Sequence, residues 1–134
     1  YNTTTDFLEG VFNGEEVYIR IQTNKNKVWR IAVGNKTGRR DEGQIKIMYN
    51  KLFQQFEDNS NYTISKTSHK LSDSEDISYE ISVNNKQYAA TFYQLPYEGA
   101  QNRIVWFTIA KEYGEYYIMI FYENENNASH GEDL

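Results

Sequence analysis

Short runs of alternating apolar and polar residues, turn pairs between them and a single stretch with helical spacing predict an α+β domain. The expected architecture is a curved antiparallel sheet of about six or seven strands packed on one main helix, in the order βββ-α-ββββ. A chain of 134 residues fits one domain and buries roughly two-thirds of its unfolded surface, enough to fold without disulfides or a structural metal. The domain is expected over residues 1–123, with 124–134 as an extended or disordered tail.

Residues 6–13 (DFLEGVFN) and 17–23 (VYIRIQT) read as strands joined by Asn13-Gly14, a strong short-range hairpin signal. In the second strand Val17, Ile19 and Ile21 alternate with Tyr18, Arg20 and Gln22, so one face is core and the other wet. A polar turn, Asn24-Lys25-Asn26, leads to a third strand over 27–33, with Trp29, Ile31 and Val33 on one face. Residues 34–40 form a loop.

Ile45, Met48, Tyr49, Leu52 and Phe56 then fall at helical spacing, which predicts a helix over 41–58. Asp41 can cap it, with Gln44 in capping-box position. A short strand over 62–64 precedes a polar loop, 65–76, that holds His69 and the acidic run Asp73, Glu75 and Asp76. Residues 77–83 read as a strand with Ile77, Tyr79, Ile81 and Val83 on one face, followed by an Asn84-Asn85 turn and a strand over 86–95. The last two strands, 103–110 and 116–122, are apolar at nearly every position, the pattern of central strands covered on both faces.

Composition removes several function classes. The net charge is −5, and the best basic run, Lys36 with Arg39 and Arg40, has too few cations for a phosphate-binding stripe, so no nucleic-acid partner is expected. Cysteine is absent, which excludes thiol catalysis and thiolate metal sites. The longest apolar run, 116–122, falls far short of the roughly 20 residues a bilayer-spanning helix needs, so an integral membrane protein is not expected.

Motifs with working spacing are also missing. The two histidines, His69 and His130, fall in a polar loop and in the tail, where they read as solvated side chains. The acidic run 73–76 lacks the ligand spacing, turn glycine and distal Glu of an EF-hand loop. Gly34-Asn35-Lys36-Thr37-Gly38 lacks the spacing of a phosphate loop and reads as a turn. Anion binding by Arg39 or Arg40 at the helix start is a candidate, opposed by Asp41 and Glu42. Glu9 and Glu80 sit at solvent-facing positions of expected strands and do not read as a facing pair for glycosidic chemistry. There is no nucleophile-elbow serine. No metal and no cofactor is expected.

What remains is an aromatic excess: 16% of residues, with 12 tyrosines. Trp29 and Trp106 read as core packing between sheet and helix. Tyr18, Tyr93 and Tyr97 read as surface rings able to anchor a protein partner or stack on a sugar.

The segments DISYEISVNNKQYAATFYQ (76–94), VWFTIAKEYGEYYIMIFYEN (105–124) and the terminal GEDL (131–134) resemble a family of secreted proteins of Gram-negative gut bacteria to which no activity is assigned. The resemblance covers about the last two-thirds of the chain and implies a periplasmic or cell-surface location. The leading expectation is a non-catalytic module of the cell envelope that binds a protein or peptide through an aromatic sheet face or an edge strand. A carbohydrate-binding module is the second expectation and a small hydrolase using acidic residues the third. Candidate binding residues are Tyr18, Tyr93, Tyr97, Arg39 and Arg40.

Overall fold

The computed structural model describes residues 3–36, 40–94 and 103–128. Its elements are β1 (Thr3–Phe12), β2 (Glu15–Asn24), β3 (Lys27–Asn35), α1 (Glu42–Glu57), β4 (Tyr62–Ile64), α2 (Ile77–Asn84), β5 (Ala89–Gln94), β6 (Arg103–Glu112) and β7 (Glu115–Asn124). A 3-10 turn, Glu125–Asn127, follows. The predicted class holds: among the described residues seven strands form one antiparallel sheet in the order β1-β2-β3-β7-β6-β5-β4.

Three two-residue turns set the registers. Asn13-Gly14, Lys25-Asn26 and Tyr113-Gly114 have φ of 52° and 77°, 53° and 64°, and 52° and 78°. Positive φ at both positions gives the turn whose twist matches that of the flanking strands. β1 therefore pairs with β2 from Phe12↔Glu15 to Thr3↔Asn24, and β6 with β7 from Glu112↔Glu115 to Arg103↔Asn124. The β2–β3 ladder shifts between Gln22 and Thr23, with Trp29 as the extra residue of the bulge.

α1 carries the chain from β3 to the far edge of the sheet. Its start is a capping box: Gln44 N donates to Asp41 Oδ1 at 2.8 Å, and Asp41 N donates to Gln44 Oε1 at 3.1 Å. Ile45, Tyr49, Leu52, Phe53 and Phe56 are buried against the sheet. Ring contacts form the centre of the core: Tyr49 meets Phe107 edge-on at 5.0 Å, Phe53 meets Phe92 at 5.3 Å, and Phe56 meets Tyr62 at 5.0 Å. Each such side chain contributes about 1.5–3 kcal/mol by leaving water.

The expected strand over 77–83 is instead α2. Asp76 accepts a hydrogen bond from Tyr79 N at 3.0 Å as N-cap, and Asn85 ends the helix in the left-handed region at φ 52°. Ile77 and Ile81, four residues apart, pack on the core, whereas Tyr79 and Val83 point to solvent. Over eight residues a period of two and a period near four share these positions, and the caps decide between them.

A second correction concerns β6 and β7. They are central in the sheet, but both helices bury their side chains in one and the same core. Among the described residues no helix packs on the opposite face, and none is long and apolar enough to cross a membrane. Of the expected tail, residues 124–128 are described: Asn24 Nδ2 donates to Asn127 O at 3.0 Å, and Asn127 Nδ2 donates to Val28 O at 2.9 Å.

Candidate binding surfaces

Strand alternation and register fix which side chains share the helix-free face. One row across the sheet runs Phe7, Arg20, Ala32, Phe121, Trp106 and Thr91. The next runs Glu9, Tyr18, Gly34, Met119 and Thr108. Phe121 stacks on Trp106 at 4.2 Å with 22° between ring planes, and the Arg30 guanidinium lies over Phe121 at 4.2 Å. The expectation that Trp106 packs between sheet and helix is therefore corrected. Its ring and Phe121 cover one another on the far side, so Phe121 is buried without a helix above it.

Charges on this face are mostly paired. Arg30 Nε lies 3.0 Å from Glu123 Oε2, and Lys36 Nζ lies 2.8 Å from Glu9 Oε2, with Tyr18 beneath the ammonium at 5.7 Å. The hydrogen bond to Glu9 holds the Lys36 amine above its ordinary pKa. Arg20 differs in having no carboxylate within ion-pair distance among the described residues; its Nε, like Arg30 Nε and Gln22 Oε1, is buried without a hydrogen-bond partner. Beside it lies a depression of about 240 Å³ floored by Ala32 and Gly34 and walled by Phe7, Tyr18, Tyr117 and Met119.

The other face carries a trough of about 410 Å³ between α1 and strands β2, β3 and β7. Val17, Val33, Ile118 and Ile120 form its floor, and Ile47, Met48 and Lys51 line the helix side. At one end the Glu15 carboxylate accepts from Arg40 and Asn35. Asn13 Nδ2 donates to Gln55 Oε1 at 3.1 Å and ties the hairpin tip to α1.

The structure divides the residues singled out from sequence. Tyr18 is 54% exposed and lines the 240 Å³ depression. Tyr93 is on the same face but in β5, beside Ile104 and Thr63, four strand spacings or about 19 Å across the sheet from Tyr18 and level with Gln22 rather than Tyr18 along the strands. Arg40 lies on the opposite face, locked to Tyr116 by backbone bonds of 2.9 and 2.8 Å and engaged with Glu15. It is a strut between helix start and hairpin rather than an exposed anion site. Tyr97 and Arg39 lie outside the described residues. Arg20, Phe7 and Met119 were not singled out, although one signal pointed to them. Strands apolar on both faces, in a chain with one long helix, leave one of those faces without a helix.

In the acidic loop, Glu75 is held by two donors. Tyr88 Oη donates to Glu75 Oε1, and Lys86 Nζ donates to the same oxygen at 2.9 Å. These bonds, Tyr88 first, hold the Glu75 carboxyl below its ordinary range, while burial first and Glu75 second push the Tyr88 phenol up. Asp76 is spent as the α2 cap. Glu80 lies in α2, where Asn84 Nδ2 donates to it at 3.1 Å, while Glu9 is in β1 with Lys36, so the two form no facing pair. Among the described residues no group of three or more His, Asp or Glu is placed to hold a metal. Comparison with family models, curated proteins and solved structures returns no match.

Proposed function

We propose that this domain is a non-catalytic binding module of the bacterial cell envelope that engages a protein or peptide through the helix-free face of its sheet. The observation that carries the reading is a seven-stranded sheet with both helices on one side, whose other side presents Tyr18, Arg20, Arg30, Trp106, Tyr117 and Met119. Tyr, Trp, Arg and Met are the residue types enriched where proteins bind one another. The envelope placement rests on the resemblance of segments 76–94, 105–124 and 131–134 to secreted proteins.

A sugar-binding platform has less support, because Trp106 gives one ring face to Phe121 and Tyr18 and Tyr93 stand more than about 19 Å apart, four strand spacings across the sheet. A hydrolase of paired acids has less still, because Glu75, the described carboxylate with a displaced pKa, is displaced downward, opposite to what a general acid needs.

A photo-crosslinking residue at Tyr18 or Tyr117, with a control at the exposed Tyr79 of α2, tests the reading in the envelope of the source cell. Crosslinks to a protein from the sheet positions but not the control are expected. Equal yields from both, or capture of glycans alone on an array, would sink it.

A further inference from the structure

We propose that the depression beside Arg20 is the specificity pocket of this face, and that it takes an apolar side chain lying next to a carboxylate in an extended acidic peptide. The inference rests on the reading of the helix-free face as a protein-binding surface.

Size argues for a piece of a larger partner. At about 240 Å³ the depression is smaller than the roughly 300–1,000 Å³ of pockets that enclose a whole small molecule. It has room for a side chain whose parent chain rests on the surrounding sheet. Its shape follows from the sequence: Ala32 and Gly34 are neighbours on the face of β3, short where the flanking Tyr18, Phe7 and Tyr117 are tall. A glycine in a strand interior marks a place where another group comes close. At Gly34 that group is the Met119 thioether, which occupies the space a Cβ would need. Thioethers are flexible and polarizable, so this part of the wall can adapt to the shape of what enters.

Charge identifies the neighbour of that side chain. Arg30 and Lys36 each have a carboxylate within reach on this face, Glu123 and Glu9. Arg20 has none, though it is only partly exposed and lines the depression. A guanidinium held among Phe7, Ala32 and Tyr18 without a counter-ion gains more from an incoming carboxylate than a solvated one, because charge-assisted bonds strengthen as water is excluded. The fork of the guanidinium fits a carboxylate with two parallel hydrogen bonds. Among the described residues of this face, one cation without a carboxylate suits one incoming carboxylate; it does not make the multi-cation surface that nucleic acid or an anionic membrane requires.

The test is fluorescence anisotropy with labelled short extended peptides carrying a central Phe-Glu or Leu-Glu pair, their Phe-Gln and Leu-Gln counterparts, and Ala-Glu controls. Acidic peptides should bind at least about tenfold more tightly than their amides, a difference of about 1.4 kcal/mol. Arg20→Gln should erase that ratio while leaving the amide peptides unchanged. Gly34→Ala keeps every charge and pushes the Met119 thioether aside; it should weaken Phe-Glu and Leu-Glu but not Ala-Glu, with the acid-to-amide ratio intact. Thermal melts of both variants check that the fold survives. Equal affinity for acid and amide peptides, indifference to Arg20→Gln, or no binding by any peptide overturns the proposal. Crosslinking from Tyr117 that persists in Arg20→Gln would then show that the face still binds a protein by other contacts, so the broader reading stands when this one fails.

Discussion

One sheet has two unlike halves. In the half built from β4 to β7 the core face is sealed by α1: Phe92, Val105 and Phe107 have no exposed surface. In the half built from β1 to β3, only Val17 and Val33 belong to the buried core cluster. Among the described residues, five of the nine exposed large apolar side chains, Phe7, Leu8, Val11, Tyr18 and Val28, lie there. The cause is geometric. A helix with its side chains is about 10–12 Å wide, two to three strand spacings of about 4.8 Å, and seven strands offer more width than one long helix covers. The chain concentrates its aromatic packing on one half and leaves the other as a wing held by backbone pairing, hairpin turns and a thinner apolar layer of Phe12, Val17, Ile19, Ile31 and Val33.

Truncating one phenylalanine in each half separates the two. Phe107→Ala should cost about 3–5 kcal/mol in urea unfolding, as expected for a ring removed from a sealed core. Phe7→Ala, on a ring 75% exposed, should change stability by less than about 0.5 kcal/mol. Comparable losses would mean that the wing is as well packed as the rest. Hydrogen exchange sharpens the same contrast: β6 and β7 amides should open only with global unfolding, and β1 amides well before it.

An intermediate effect is expected where the covering helix begins. Asp41→Ala removes the capping box and should lower stability by about 1 kcal/mol, with Asp41→Asn recovering most of it. A drop near that of Phe107→Ala would show that the cap holds more than its own helix turn.

The smallest effect depends on pH. Glu75 titrates below its ordinary range in the folded state, so its contribution is fully present above the unfolded glutamate value of about 4.3. It is lost as pH falls through the lower folded value. Wild type should exceed Glu75→Gln in unfolding free energy at neutral pH by a margin under about 1 kcal/mol in urea titration, since the pair is partly solvated. The two should converge on acidification. A gap that widens in acid would mean that the sign of the linkage is wrong.

Much of the fold was legible because its signals are local. Asn13-Gly14 and the Gly114 turn announced their hairpins, and Asp41 with Gln44 announced the helix start. α2 was hidden because eight residues cannot separate two periods, and because Asp76 as a cap is indistinguishable in sequence from one more residue of an acidic loop. The placement of β3 beside β7 depends on pairing across most of the chain. The candidate site was legible only in part. Tyr18 stood out by alternation on β2, but the solitude of Arg20 is a property of what lies across neighbouring strands, and Arg40 proved a strut because Glu15 comes to meet it.

The Asn13-Gly14 turn carries a consequence for the outer margin of the molecule. A two-residue turn is closed by the Phe12 carbonyl accepting from Glu15 N–H, so alternation along β1 assigns the backbone groups of Gly10, Leu8 and Asp6 to the ladder with β2. Those of Val11, Glu9, Phe7 and Thr5 are turned outward, toward whatever runs alongside. Proline in place of Phe7 or Glu9 would thus cost the sheet no bond of its own, while proline in place of Leu8 would remove one. The rim of the wing can be capped one residue at a time without disturbing the strands behind it.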